Sequence, residues 1–234
     1  MKIQSWNCQG LGNPLTVNTL YERTWRERPN IVFVMETMMR SKNLEKIRNK
    51  CGYTNGLCVG SQGRSGGLGL WWKDINASLV TYDHNHIAVD VCGENEQALW
   101  RGVGIYGWPE RANRHKTWNM IRALCHNINI LIILFGDFNE ILSNEEQEGG
   151  AWRNQRQIAA FPETLDDCAL IDLGFNGNMF TWQRGREVGR VIRERLDRAV
   201  ATATWTDIFP NVVVNHFPIY SSNHAMILIK DETP

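Results

Sequence analysis

The stretch from residue 56 to residue 106 constrains the fold most, because it contains consecutive apolar segments and no helical pattern. These segments are short and often β-branched, as β-strands are. We predict strands over Leu68–Trp72, Ala77–Thr81, Ile87–Val91 and Leu99–Tyr106. Strands that follow one another without a helix between them usually pair as antiparallel hairpins. This stretch therefore predicts an antiparallel part of a sheet.

Further strands and three helices flank this stretch. Apolar residues at helical spacing predict helices over Pro14–Arg26, Arg111–His126 and Gln155–Cys168. A doubly wound parallel sheet would also alternate strands and helices, but the stretch without helices favours a sandwich of two sheets with helices packed outside. The other predicted strands are Lys2–Trp6, Ile31–Met35, Ile130–Phe135, Phe180–Gln183, Val212–Phe217 and Ala225–Ile229.

Composition and charge are those of an ordinary globular protein. The chain has 234 residues, of which 43% are hydrophobic and 21% charged, and its formal net charge is zero. The neutral charge gives no overall sign of a nucleic-acid or membrane partner. Arginines are concentrated between residues 153 and 198, but most charge runs are solvated faces, so this supports phosphate binding only weakly. No repeat or linker interrupts the sequence, and we predict one domain over residues 1–230 with a tail at 231–234.

The cysteine spacing, the N-terminal sequence and the apolar runs indicate in which cellular compartment the protein acts. The six cysteines include no C-x-x-C pair, so zinc spacing is absent. The N-terminus "MKIQSWNCQG" does not have the pattern of a signal peptide. The longest apolar run, "INILIILF", is far shorter than the roughly 20 residues of a membrane span. We therefore predict a soluble intracellular protein with reduced thiols and no membrane partner.

Several predicted strands end abruptly in residues that bind metals or move protons. Each such residue alone has an ordinary structural explanation, such as an Asx turn, a rim tyrosine or a hydrogen-bonded histidine. The segment "LIILFGDFNE" fits those explanations least, because a long apolar run precedes its aspartate. The residues concerned are Asn7, Glu36, Tyr106, Asp137, Asn139, Asp197, Asn223 and His224.

Together these side chains suit metal-assisted hydrolysis of a phosphate ester. Mg²⁺ prefers oxygen ligands and needs only one or two carboxylates, because it keeps several waters. The hydrolysis also requires an activated water and neutralised charge on the phosphoryl oxygens. Other chemistries lack their motifs, since neither G-x-S-x-G nor H-E-x-x-H occurs. The glycine-rich "GSQGRSGGLGLWW" lacks the Gly-Lys-Ser/Thr of a P-loop and predicts a hairpin turn.

In their order along the chain, the same residues resemble the exonuclease–endonuclease–phosphatase superfamily of deoxyribonuclease-like, metal-dependent phosphodiesterases. The matching motifs are W-N, E-T, Y-G, G-D-F-N, L-D-R and a final Ser-Asn-His, where the superfamily has Ser-Asp-His. More narrowly, "WNCQGLGNPLTV", "SGGLGLWW", "YGWPE", "GDFNEIL", "FTWQRGR" and "ERLDRAVAT" are similar to the endonuclease domain of plant LINE-type (non-LTR) retrotransposons, which is itself similar to abasic-site endonucleases. The resemblance implies an α/β fold, a four-layer α/β sandwich with two mixed β-sheets face to face and helices packed outside.

The resemblance also implies roles in hydrolysis. Glu36 would bind Mg²⁺, with Mn²⁺ as an alternative ion, and Asn7 would hold the metal shell or the phosphate. Asp137 would orient or deprotonate the attacking water. Asn139 and Tyr106 would donate hydrogen bonds to the phosphoryl oxygens as negative charge develops on them.

The last two motifs imply a histidine–carboxylate pair and a surface that contacts DNA. Asp197 would fix the tautomer of His224, whose other ring nitrogen would contact the phosphate or act as a base. Trp182 would approach the minor groove or an unstacked base. Phosphate contacts would come from Arg184, Arg186 and Arg195.

Asn223, a metal-site residue by this resemblance, departs from the pattern of the family. The family has an aspartate there, and asparagine keeps the size of that side chain but removes its charge. We expect weaker metal binding at this position and lower turnover. Two alternatives to a DNA endonuclease stay open: a nucleic-acid-binding domain of the same fold that has lost catalysis, and a phosphatase or related esterase of the same superfamily.

The resemblance finally implies a cellular setting. LINE-type endonucleases nick target DNA before reverse transcription. We therefore expect DNA as the partner, a place in or an origin from a reverse-transcriptase polyprotein, and action in the nucleus. We also expect the domain to be monomeric.

Overall fold

The structure is a computed structural model that describes residues 1–63, 65–126, 130–185 and 190–232. In chain order its strands are β1 (Lys2–Asn7), β2 (Ile31–Met35), β3 (Asn55–Val59), β4 (Leu68–Trp72), β5 (Asn76–Tyr82), β6 (His86–Cys92), β7 (Ala98–Tyr106), β8 (Leu131–Asp137), β9 (Gln147–Glu148), β10 (Leu170–Asp172), β11 (Trp182–Arg184), β12 (Ile192–Glu194), β13 (Asp197–Thr202), β14 (Val212–His216) and β15 (Ile227–Asp231). Its α-helices are α1 (Pro14–Glu27), α2 (Ser41–Lys50), α3 (Arg114–Cys125), α4 (Gln155–Asp167) and α5 (Ala203–Ile208), with short 3-10 helices at Arg111–Asn113 and Asn144–Glu146.

Two six-stranded sheets form the centre of the fold. The first has the strand order β14-β15-β1-β2-β4-β3, and the second has the order β10-β13-β8-β7-β6-β5. Both are mixed, because β1 and β2 run parallel in the first sheet, β7 and β8 run parallel in the second, and the other neighbours are antiparallel. A further three-stranded sheet has the order β11-β12-β9.

Apolar side chains from both sheets fill the core between them. Phe33 of β2 meets Phe135 of β8 edge to face, with ring centroids 6.0 Å apart. The two sheets approach closely at Gly104 of β7, where a Cβ atom would lie 2.5 Å from the ring of Phe33. Any larger residue at position 104 would push the sheets apart, so this glycine is required by the close packing.

Helices cover the outer face of each sheet. On the first sheet, Leu20 of α1 and Leu44 of α2 share a buried cluster with Val32 of β2. On the second, Trp118 of α3 and Phe161 of α4 stack with ring centroids 4.7 Å apart. The layers are therefore helix, sheet, sheet and helix, which confirms the predicted four-layer α/β sandwich.

Every strand predicted from the apolar pattern is present, with boundaries that agree within two residues. The pattern misses α2, in which only Leu44 and Ile47 are buried among charged neighbours. It also misses α5 and the strands β3, β9, β10 and β13. In β13, Asp197 and Arg198 are buried, and an apolar pattern does not anticipate buried charge. The last strand extends through Asp231, one residue beyond the predicted domain end.

The longest described helix, α1, has 14 residues. No helix in the described parts of the chain is both long enough and apolar enough to cross a lipid bilayer.

A buried ion network anchors β13 through the residue next to Asp197. Arg198 is fully buried, and its guanidinium donates to Glu146 and to Asp172 over 2.6 Å each. Arg195 donates to the same two carboxylates over 2.9 and 2.8 Å. Burial would raise the pKa of Glu146 and of Asp172, but the charges of the two arginines lower both pKa values. The network therefore ties β13 to β10 and to the Asn144–Glu146 turn.

We predict that Arg198→Met lowers the free energy of unfolding by about 3–5 kcal/mol, because it leaves buried carboxylates without their main cation. Urea unfolding measures this change. The wild-type contribution should be present at neutral pH and lost as the pH falls through the lowered pKa values of the two carboxyls. Arg193→Met is the matched control, since the Arg193–Glu148 pair has side chains 41% and 55% exposed. Its effect should stay within about 0.5 kcal/mol, and equal losses in both variants would contradict a special role for the network.

Candidate active site

Sheet pairing brings the predicted site residues to one edge of the sandwich. Asn7 ends β1, and Glu36 directly follows the parallel strand β2. In the second sheet Asp137 of β8 pairs with Tyr106 of β7 on one side and with Asp197 of β13 on the other. Carboxyl ends of parallel strands share an edge, so the two sheets present these side chains together.

His224 lies just before β15 and is held between carboxylates. Its Nδ1 lies 2.9 Å from Oδ2 of Asp197 and 3.8 Å from Oδ2 of Asp137. The ring is buried, and Ser222 fixes the backbone by accepting a hydrogen bond from the amide of His224 and donating one to the carbonyl of Asn7. The bond at Nδ1 orients the imidazole and leaves Nε2 for another partner.

Asp137 is oriented through both of its carboxylate oxygens. Asn7 Nδ2 donates to Oδ2 over 2.9 Å, and the backbone amide of Asn139 donates to Oδ1 over 2.9 Å. Asn139 has a φ of +56°, and its Nδ2 donates to the carbonyl of Gly107 over 2.8 Å. The second amide hydrogen of Asn139 and its side-chain oxygen remain for other contacts.

Glu36 and Tyr106 form a second pair at the same edge. The hydroxyl of Tyr106 donates to Oε1 of Glu36 over 2.6 Å. Burial, followed by the charge of Glu36, raises the pKa of Tyr106, so the phenol keeps its proton and acts as a donor. Glu36 has a φ of +50°, in the left-handed region that non-glycine residues rarely adopt. Such strain concentrates at functional positions.

The buried charges determine the protonation of the histidine. Burial would lower the pKa of His224, but the negative charges of Asp197 and Asp137 outweigh it and raise the pKa to about 9. Burial is the largest effect on Asp137 and raises its pKa, although the charge of His224 acts in the opposite direction. At neutral pH His224 is therefore an imidazolium, which can donate through Nε2 to an anion.

Among the described residues, one group of acidic and histidine side chains lies close enough together to hold a metal ion. One ligand atom from each of Asp137, Asp197 and His224 lies within 4.8 Å of the others. In that group the hydrogen bond between His224 and Asp197 already uses one atom of each. Asp197 Oδ1 is buried and has no hydrogen-bond partner among the described residues. Glu36 and Asn7 add oxygen donors at the same edge, and this donor set fits a hard cation such as Mg²⁺.

The residues predicted to contact DNA have different surroundings. Trp182 is partly exposed beside His224, with ring centroids 6.5 Å apart and an isolated β-bridge between the two residues. Arg184 is exposed at the end of β11. Arg186 lies outside the described residues.

The surroundings of Arg195 contradict the prediction that this residue contacts phosphate. Its side chain is only 6% exposed, and its guanidinium donates to Glu146 and Asp172. Acidic side chains from other elements enclose this arginine, so it is not available to a phosphate.

Asn223 is exposed, and its contacts reveal a residue that the sequence reasoning missed. Its backbone amide donates to Oε1 of Gln9 over 3.0 Å, and its carbonyl accepts from the amide of Gln183. The position of Gln9, two residues after Asn7 at the end of β1, was the available signal. Thr181 was also missed, and its hydroxyl accepts a hydrogen bond from the amide of Asp197 over 2.9 Å.

The family model for the Endonuclease/Exonuclease/phosphatase family matches residues 5–224, which include every one of these site residues. The chain belongs to this family. The predicted superfamily is thus confirmed, and membership supports a hydrolase of the nuclease or phosphatase class. No curated protein matches the sequence.

Solved structures show the same fold at low sequence identity. The 3'-5' exonuclease NExo from Neisseria meningitidis has a TM-score of 0.70 at 16% identity, over 100% of both chains. An AP endonuclease from Archaeoglobus fulgidus has a TM-score of 0.73 at 15% identity, over 100% of both chains. The endonuclease domain of TRAS1, a telomere-specific non-LTR retrotransposon, has a TM-score of 0.71 at 14% identity, over 99% of this chain and 98% of that one.

We predict that Asp197→Asn lowers the pKa of His224 from its value of about 9, because burial then acts with one fewer opposing charge. NMR titration of the imidazole in metal-free buffer measures the change. Asp207→Asn, on the exposed side of α5, is the control and should leave the titration unchanged. If the pKa of His224 stays near 9 in the Asp197 variant, Asp197 is not the residue that keeps the histidine protonated.

Proposed function

We propose that this protein is a divalent-metal-dependent phosphodiesterase that nicks DNA. The observation that carries the proposal is the buried group at the sheet edge, where the Asp197–His224 pair lies against Asp137. A charged imidazole beside an oriented carboxylate is suited to hydrolysis of an anionic ester, because one group supplies positive charge and the other handles a proton.

The residues have separate tasks in this reaction. Asp137, oriented by Asn7 and Asn139, positions the attacking water and takes its proton; its raised pKa makes it a better base than an exposed aspartate. His224 donates through Nε2 to a phosphoryl oxygen while Asp197 holds Nδ1. Tyr106 supplies a further hydrogen bond from its hydroxyl.

We propose Mg²⁺ as the ion, with Mn²⁺ as a substitute, held by Glu36 and Asn7, with Asn223 on the same rim. When bound, the ion supplies positive charge that offsets the charge developing on the phosphate. Tyr106 helps to orient Glu36 through their 2.6 Å hydrogen bond. The oxygen donors of this set favour a hard ion over zinc.

DNA is the proposed substrate, and a retrotransposon is the proposed setting. Trp182 and Arg184 lie on β11, which reaches His224 through a β-bridge at Trp182, so an aromatic face lies next to the reacting groups and a cation follows two residues along the strand. The likeness to the TRAS1 endonuclease domain supports the retrotransposon assignment, as do the segments similar to plant LINE-type elements. A reverse-transcriptase polyprotein, a monomeric nuclease domain and action in the nucleus belong to this proposal.

We predict that the purified protein converts supercoiled plasmid to open circles with Mg²⁺ and loses this activity with EDTA. His224→Ala should lower the nicking rate by about 10²–10⁴-fold, because it removes a proton donor and a positive charge. His216→Ala is the control, since His216 is also buried but bonds the carbonyl of Asn178 rather than a site residue. Release of phosphate from a phosphomonoester without nicking would instead indicate a phosphatase.

Asn223 supports a second candidate, a nucleic-acid-binding domain with little catalysis, because this exposed residue beside His224 in the chain is a neutral amide where the family pattern has an aspartate. That candidate predicts salt-sensitive DNA binding and no Mg²⁺-dependent nicking.

We predict that Asn223→Asp raises the nicking rate on the order of tenfold, which corresponds to about 1.4 kcal/mol of added transition-state stabilisation. It should also lower the Mg²⁺ concentration needed for half-maximal rate, because the carboxylate attracts the cation. Asn211→Asp makes the same charge change at an exposed position elsewhere and should alter neither quantity. Equal rates in wild type and Asn223→Asp would show that the charge is dispensable.

A further inference from the structure

Helix α1 carries an exposed aromatic ridge that the catalytic edge does not use. Trp25 is 68% exposed and Tyr21 is 39% exposed, and they lie one helical turn apart on the same face. This half of α1 lies toward the opposite edge of the sheet, since Lys2, at the start of β1, donates from Nζ to the carbonyl of Glu27. The buried face of the helix uses Leu20 instead, so packing does not require an exposed tryptophan.

Two hollows flank this ridge, and Tyr21 and Trp25 line both of them. The first, of about 470 Å³, lies between α1 and the segment that contains Phe217 and Tyr220. The second, of about 400 Å³, lies between α1, the end of α2 and the turn after β4. Each is within the size range of small-ligand sites. Tyr220 is 75% exposed and adds a third accessible aromatic side chain.

Cations surround the aromatic side chains of these hollows. The positively charged lining residues are Arg23, Arg26, Arg28, Lys50 and Lys73, against the carboxylates of Glu22 and Asp74. Within the described parts of the chain, none of these five cations lies within 4.0 Å of a carboxylate oxygen. Lys50 Nζ lies 5.8 Å from the centroid of Tyr21, and Arg23 lies over the ring of Phe217 at 4.3 Å. The surface is therefore positive and rich in accessible π-faces.

We propose that this surface, the α1 groove, binds single-stranded nucleic acid and extends the candidate active site along α1. Cations that follow a phosphate backbone and aromatics that stack on bases are what recognise a single strand without sequence preference. A duplex keeps its bases stacked on one another, so it would use the cations but not Trp25 and Tyr220. The choice of DNA as the polymer rests on the proposed function. His224 itself lines the first hollow, so the groove is continuous with the candidate active site.

The test measures binding in EDTA, so that metal-dependent cleavage plays no part. Fluorescence anisotropy follows an oligothymidylate of about 20 nucleotides and a duplex of the same length. Trp25→Ala should raise the Kd for the single strand about 5- to 100-fold and leave the duplex Kd within about twofold. Arg26→Ala should reduce the salt slope of single-strand binding by about 0.7.

Trp152→Ala is the matched control, since Trp152 is 81% exposed but lines neither hollow. Equal Kd changes for Trp25→Ala and Trp152→Ala would overturn the proposal. So would a Trp25→Ala variant that binds single strand and duplex equally more weakly, or a parent protein that does not bind the single strand. Loss of binding to vesicles of anionic lipid in Trp25→Ala, with oligonucleotide binding unchanged, would overturn it in favour of a lipid surface. Because the readout is binding, a protein that does not nick plasmid still gives a decisive result here.

Discussion

The burial of two carboxylates against one imidazole is the interaction on which the site depends. Asp137, Asp197 and His224 are at most 4% exposed, and burying a charge costs several kcal/mol unless a partner compensates it. The imidazolium offsets one of the two negative charges, and burial raises the pKa of Asp137. Asn7 donates a hydrogen bond to Asp137, and Thr181 accepts one from the amide of Asp197. The same carboxylates keep His224 protonated at neutral pH. The interaction that permits burial therefore also provides a positive charge for binding an anion.

Strand register determines whether these groups meet at all. Asp137 pairs with both Tyr106 and Asp197, and a slip of one residue in either pairing would turn a side chain to the opposite face of the sheet. The distance between the sheets is constrained as well, since Gly104 leaves room for Phe33 of the facing sheet. Core packing and catalytic geometry are therefore set by the same contacts.

The distribution of arginines shows how a neutral chain can still present a positive surface. Three arginines of the basic region, Arg153, Arg195 and Arg198, are paired with carboxylates inside the protein. They stabilise the elements behind the site and are not available to phosphate. The cations of the α1 groove come from three separate segments, so an inspection of charge along the chain does not show that Lys50 and Lys73 join the arginines of α1.

The sequence by itself indicated the longer apolar strands, the layered sandwich and most residues of the candidate site, because apolar strands that end in Asn7, Glu36 or Asp137 are visible as local patterns. It could not show that Arg195 is enclosed by acids, that Gln9 bonds the amide of Asn223, or that Trp25 stands between two hollows. Those facts depend on residues far apart in the chain, such as the pair Gln9 and Asn223, whose meeting is decided by sheet pairing and helix packing. Local pattern reports which face of a strand or helix is apolar, whereas only the tertiary structure decides what a polar or aromatic side chain meets there.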